Sequence, residues 1–195
     1  QIILNACYYS GISLALSVRY HGLGAIFAFH SVVPDRSARL LDICNSTAFF
    51  ESWLKSLRAS EIDIISLNEA IERLNEQSKK RFVVITFDDG YADNFFHAFP
   101  IMKKYHSPFT VYVPTQMITR EMKCWWLGLE HLFLSSDEVA IEPMERLFTV
   151  PDRRAKKIAF KTVVDWVHGD ITRRAQQAND LLKKYGISLE AIVDE

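Results

Sequence analysis

The chain has 195 residues, 49% of them hydrophobic and 24% charged, enough to bury a sizeable core in what reads as one domain. Its net charge of −1 leaves no basic excess to hold nucleic acid or an anionic membrane, so neither partner is expected. Cys7, Cys44 and Cys124 are odd in number, far apart and without metal-ligand spacing, so reduced thiols, buried or free, are expected.

Ile2, Ile3, Leu4, Ile12, Leu14, Leu16 and Val18 give the first 20 residues an apolar cast, but Asn5, Ser10, Ser13 and Ser17 interrupt it. The stretch is too short and too polar to span a bilayer, and it lacks a basic start and a clear cleavage site. A packing helix over residues 1–20 and a cytoplasmic protein are the expectations, with a membrane-surface role as the alternative. Gln1 in place of Met suggests a processed or cut product.

Ala25 to His30 reads as a short strand. After a polar loop, Thr47 is expected to cap a helix whose Phe49, Phe50, Trp53, Leu54 and Leu57 share one face. The sequon Asn45-Ser46-Thr47 is read as part of that helix start and not as a glycosylation site. Ile62, Ile64 and Ile65 suggest a second strand, and Ser66 with Glu69 forms a capping-box pattern ahead of Ala70, Ile71 and Leu74.

Arg81-Phe82-Val83-Val84-Ile85-Thr86-Phe87 is β-branched and aromatic without polar alternation, as in a strand buried on both faces. Asp88, Asp89, Gly90 and Tyr91 follow at its end, and Asp93 offers an N-cap for a helix through Phe95, Phe96, Phe99, Ile101 and Met102. The two adjacent carboxylates therefore sit on a βα loop, the edge of a parallel sheet where ligands bind and catalytic groups collect. Two such charges in a dry pocket need a cation or a raised pKa. One could ligate a metal while the other took a proton from water; the plain alternative is a capped turn. His30, ending the first strand, should face the same rim and orient Asp88 or touch substrate, or else be a hydrogen-bonded structural histidine.

Pro108 restarts the chain into a fourth strand, Phe109 to Thr115, so strand and helix alternate as in a parallel sheet or barrel. Trp125 to Leu134 then reads as helix, and Val139–Ile141 with Arg146–Val150 as a small hairpin. Two more helices follow. The first starts near Asp152 with Ala155, Ile158, Ala159, Val163, Trp166 and Val167 on its apolar side, and the second runs from Thr172 through Leu181 and Leu182 to Gly186. Residues 116–190 read as a mainly helical insertion that either covers the mouth of the site or is a packing appendage.

Thr86-Phe87-Asp88-Asp89-Gly90-Tyr91 resembles the first motif of the polysaccharide deacetylases, the NodB-homology carbohydrate esterases. Ala28-Phe29-His30-Ser31-Val32-Val33-Pro34 resembles that family's first barrel strand and loop, and Phe109-Thr110-Val111-Tyr112-Val113-Pro114-Thr115 the strand after the motif. Ala6 to Gly11 and Trp125-Trp126 with Leu129-Glu130 are similar to a bacterial subgroup.

The resemblance implies an α/β fold, a distorted (β/α) barrel of the NodB type, incomplete and carrying the helical insertion. It implies Asp88 as general base, Asp89 as metal ligand, and Tyr91 near the developing oxyanion. It also implies a divalent metal, zinc foremost with cobalt, nickel or manganese as alternatives, and an N-acetylated glycan as substrate. The family's second motif, two histidines spaced His-x-x-x-His, is missing: no two among His21, His30, His97, His106, His131 and His168 stand four apart. The chain ends at Ile192-Val193-Asp194-Glu195, where the strand leading to that motif is expected, so it reads as the N-terminal part of a longer deacetylase or as a truncated relative.

The implied reaction is hydrolysis of an N-acetyl group on an amino sugar. The rivals are an O-acetyl carbohydrate esterase and an inactive fragment acting as a structural or glycan-binding module. A barrel cut after four strands would leave an open edge, so a homo-oligomer, aggregation or a partner is expected.

Overall fold

The computed structural model describes residues 9–12, 22–76 and 80–194 of a mixed α/β chain. Most of the helix expected over residues 1–20, Cys7 and His21 lie outside the described residues. Two compact units emerge, Gln1–Pro34 with Asn45–Tyr112, and Asp35–Cys44 with Val113–Glu195.

The first unit is built on parallel strands. Strand β1 is Gly24–Phe29, β2 Ser31–Val33, β3 Cys44–Ser46, β4 Asp63–Ile64, β5 Phe82–Phe87 and β6 Thr110–Val111. In the main sheet β5 has β1 on one side, Gly24 opposite Phe82 through Phe29 opposite Phe87. On its other side β4 pairs with its start and β6 with its end, all in parallel. All six β5 residues are buried, which is what an unbroken β-branched and aromatic run requires. The β1–β5 register also explains Gly24. A Cβ there would lie 2.4 Å from the Phe82 ring.

Helix α1, Thr47–Arg58, brings Phe50 and Trp53 to this sheet. Phe29 meets Phe50 and Trp53 edge-on at 5.0 Å, and Phe87 meets Phe50 and Phe109 at 5.7 Å. Edge-to-face pairs at such distances each add about 0.5–1.5 kcal/mol beyond simple burial. Phe49, expected on the same face, is exposed at the edge of the stripe. Ser46, not Thr47, caps this helix. Its backbone is extended and its hydroxyl accepts from the Phe49 N–H, whereas Thr47 is already helical. Helix α2, Leu67–Asn75, is capped by Ser66 through the Glu69 N–H as its pattern implies.

After β5 the chain enters a π-helical turn, Asn94–Ala98, that leads into α3, Phe99–Lys104. The Phe99 N–H reaches back five residues to the Asn94 carbonyl. Pro100 follows at once; it has no N–H to give Phe96, and its ring crowds that carbonyl, so a widened turn relieves both problems. The fourth strand is much shorter than Phe109 to Thr115. Pairing ends at Val111, and Thr115–Ile118 form a short helix, α4. Strand β1 has no partner but β5 and leaves Ile26 and Phe27 exposed, so among the described residues the sheet is open and forms no closed barrel.

The second unit is mainly helical. Helix α5 is Trp125–Ser135, α6 Arg153–His168, α7 Ile171–Lys184 and α8 Leu189–Asp194. Between α5 and α6 the antiparallel hairpin β7, Glu138–Ile141, and β8, Arg146–Thr149, pairs Val139 with Phe148. Leu129, Leu132 and Phe133 of α5, Phe160, Val163 and Val167 of α6, and Leu181 and Leu182 of α7 form its core. Asp152 caps α6 through the Ala155 N–H, and Gly186 takes φ +71° just beyond α7. The strand expected at the C-terminal end is instead α8, whose start is fixed by Ser188 Oγ accepting from the Ala191 N–H. Cys44 and Cys124 are buried and not disulfide-bonded.

Candidate active site

The buried strand β5 delivers Asp88 to the C-terminal edge of its sheet. The Asp88 N–H donates to the Phe29 carbonyl at 2.8 Å, continuing the β1–β5 ladder one step past the strand. Asp89 and Gly90 then both adopt left-handed backbone, φ +69° and +64°. Glycine does so freely, and aspartate is among the few other residues that tolerate it. The pair turns the chain sharply out of the sheet. Tyr91 closes the turn, its carbonyl accepting from the Asn94 N–H at 3.0 Å.

His30 follows β1 directly, and its Nε2 stands 3.9 Å from Asp88 Oδ2. The side chains of the two are 33% and 39% exposed, so water and substrate reach both. That spacing is ion-pair range when the imidazole is protonated, and too long for a direct hydrogen bond. Neither carboxylate of the loop is buried. The Asp89 carboxylate takes no hydrogen bond or ion pair from the described residues, in contrast to most acids of this chain.

The helix start differs from the sequence expectation. Asp93 makes no capping bond to its own helix and already has helical backbone angles. Its carboxylate instead accepts from Ser31 Oγ at 2.6 Å and from the Val32 N–H at 3.2 Å. Ser31 and Val32 are both fully buried. An acid four residues beyond Asp89 was the only sequence signal of this contact, and it serves a cap equally well. Beside it the Asn94 amide is buried with neither its nitrogen nor its oxygen bonded among the described residues.

The other described histidines do not join the site. His97 lies in the π-helical turn, and His106 follows α3 with φ +46°, its carbonyl accepting from Arg58. His131 lies on α5, and the His168 ring packs edge-on against Trp125. No group of three His, Cys, Asp or Glu side chains able to hold a metal ion occurs among the described residues. Catalytic zinc usually takes three protein ligands, so these residues alone do not fit such an ion.

Residues 75–145, which include the motif, match the family model for polysaccharide deacetylase. This segment is similar to the polysaccharide deacetylases. Over 90 residues the chain is 32% identical to YxkH of Bacillus subtilis, a protein named for the same family. That match takes in 45% of this chain but 30% of the relative, so the chain spans under a third of that relative's length. A solved de-N-acetylase of Aggregatibacter actinomycetemcomitans is 26% identical at a TM-score of 0.44, covering 49% of this chain and 39% of its own. The deacetylase PplD of Streptococcus pyogenes is 22% identical at 0.41, covering 62% and 49%. The matched segment thus holds β5, the acidic turn and β6, and ends within the second unit.

Proposed function

We propose that the chain is the motif-bearing part of a hydrolase that removes N-acetyl groups from the amino sugars of a glycan, its complete fold a distorted (β/α) barrel. The observation that carries this reading is the exposed Asp88 at the edge of the central parallel strand, with His30 at 3.9 Å. Deacylation needs a water molecule deprotonated as it attacks the acetyl carbonyl. Asp88 is the base that accepts this proton, and His30 orients it or contacts substrate. The tetrahedral adduct then collapses to acetate and the free amine, which leaves with the proton that Asp88 accepted. Tyr91, on the same loop, is assigned to substrate contact near the developing oxyanion.

Asp89, carrying no bond from the described residues, is assigned as one ligand of a divalent metal. When bound, such an ion polarises the acetyl carbonyl and lowers the pKa of water. Zinc is favoured, while mixed carboxylate and imidazole ligands also admit cobalt, nickel or manganese. The other ligands belong to sequence outside the described residues.

The test is acetate release from an N-acetylglucosamine oligomer supplied with zinc, run beside acetylated xylan. Release from the amino sugar that Asp88→Asn abolishes supports the reading, and release from xylan alone assigns an O-acetyl esterase instead. Because no three-ligand metal cluster occurs among the described residues, an inactive glycan-binding module is the second reading. Calorimetric titration with zinc separates the two. One-to-one micromolar binding that Asp89→Ala removes overturns the inactive module, while no binding and no acetate release overturn the enzyme.

A further inference from the structure

We infer that Asp93 is a positioning residue, clamping the chain on the far side of His30 so that the imidazole is held beside Asp88. The inference rests on the assignment of Asp88 as the base and adds to it the device that sets its neighbour. His30 has no regular structure of its own, standing between the end of β1 and the start of β2. It is nevertheless bracketed by bonds to the motif loop. On its N-terminal side the Phe29 carbonyl accepts from the Asp88 N–H at 2.8 Å. On its C-terminal side Ser31 Oγ and the Val32 N–H both donate to the Asp93 carboxylate, at 2.6 and 3.2 Å.

These contacts join residues about sixty apart in sequence, and only the left-handed pair Asp89–Gly90 turns the loop so that Asp93 returns to β2. The burial of Ser31 and Val32 gives the clamp its rigidity. A hydroxyl and an amide out of reach of water have no substitute partner when the carboxylate is removed. Asp93 therefore touches neither water nor acetyl group in the reaction. It acts through the backbone on either side of one residue, and among the described residues that is the only histidine placed against the motif.

Asparagine preserves this clamp: its oxygen can accept from the Val32 N–H and its amide can donate to Ser31 Oγ. Alanine abolishes it. The measurement is the response of the His30 ring resonances to Asp88→Asn, recorded by NMR on the full chain in otherwise native, Asp93→Asn, Asp93→Ala and Ser31→Ala backgrounds. The expected result is a clear response in the native and Asp93→Asn backgrounds, a weakened one in Ser31→Ala, and its loss in Asp93→Ala. Should Asp93→Ala not fold, the comparison of Ser31→Ala with Asp93→Asn carries the test. A response unchanged in both Ser31→Ala and any folded Asp93→Ala overturns the inference.

Acetate release gives the second readout. Loss of the clamp lowers kcat by about 100-fold with KM unchanged, the scale expected for misplacing a group by an ångström, and Asp93→Asn restores most of the rate. If the native chain releases no acetate while the NMR coupling behaves as expected, the deacetylase reading fails and the clamp stands. The converse, acetate release with no dependence of the coupling on Asp93, removes the clamp alone.

Discussion

The two units use carboxylates in opposite ways. In the second unit Glu130 of α5 is 5% exposed at its side chain, and every part of it is engaged: Arg39 Nε at 2.8 Å, the Leu40 N–H at 2.5 Å and the Leu41 N–H at 2.9 Å. It fastens residues 39–41 to α5 and is an internal strut. In the first unit Asp88 and Asp89 stand half-exposed at a strand end with only His30 near one of them. A carboxylate that has spent its lone pairs on its own fold cannot bind a ligand or move a proton. A pair left open at the edge of a parallel sheet can do both, and Asp93 shows the intermediate case, an acid of the same loop whose carboxylate is bonded to Ser31 and Val32.

The strongest way to break this contrast is to remove the strut. Glu130→Ala leaves the Arg39 charge and two backbone N–H groups without their acceptor, and is expected to lower stability by about 3–5 kcal/mol, read from the urea midpoint. A loss below about 1 kcal/mol, the range of surface pairs, would place Glu130 with the exposed acids. Next comes the left-handed turn. Asp89→Val forces a β-branched residue to φ +69° and is expected to lose about 1–2 kcal/mol, whereas Asp89→Asn leaves the thermal midpoint nearly unchanged.

The third comparison sets Asp63 between the extremes. Its carboxyl is held below the ordinary aspartate range chiefly by its hydrogen bond from Arg73, which outweighs the desolvation penalty, with Lys80 adding attraction. A depressed native pKa stabilises the fold above the unfolded value, and this gain fades as pH falls below about 4 towards the lower native value. Asp63 is partly exposed, so Asp63→Asn is expected to lose about 0.5 kcal/mol near neutral pH and to flatten the acid limb of a stability–pH curve. The smallest effect is expected at the site itself. Asp88→Asn should shift the urea midpoint by less than about 0.5 kcal/mol, since Asp88 holds the sheet through its backbone and not its carboxylate. A larger loss would mean that Asp88 too is a strut.

Local chemistry made part of this legible in advance. The apolar run into Asp88 fixed β5, Ser66 and Asp152 marked real helix starts, and the motif lies in the segment that matches the polysaccharide deacetylase model. What failed shares one physical cause. Asp93 and Ser188 are ambiguous as isolated residues: the first could cap a helix or clamp a distant strand, and the second could sit in a loop or start α8. Glu130 shows no sequence sign of its burial, because its partners lie about ninety residues away. Ile26 and Phe27, apolar and within the expected strand, are exposed where β1 has no further partner.

The sequence by itself determined the strand and the acidic turn at its end, because backbone preference is a local property. Tertiary structure alone decided which acids stay open. That choice depends on which donors arrive from remote segments: Ser31 and Val32 at Asp93, Arg39 and Leu40 at Glu130, and no donor among the described residues at Asp89.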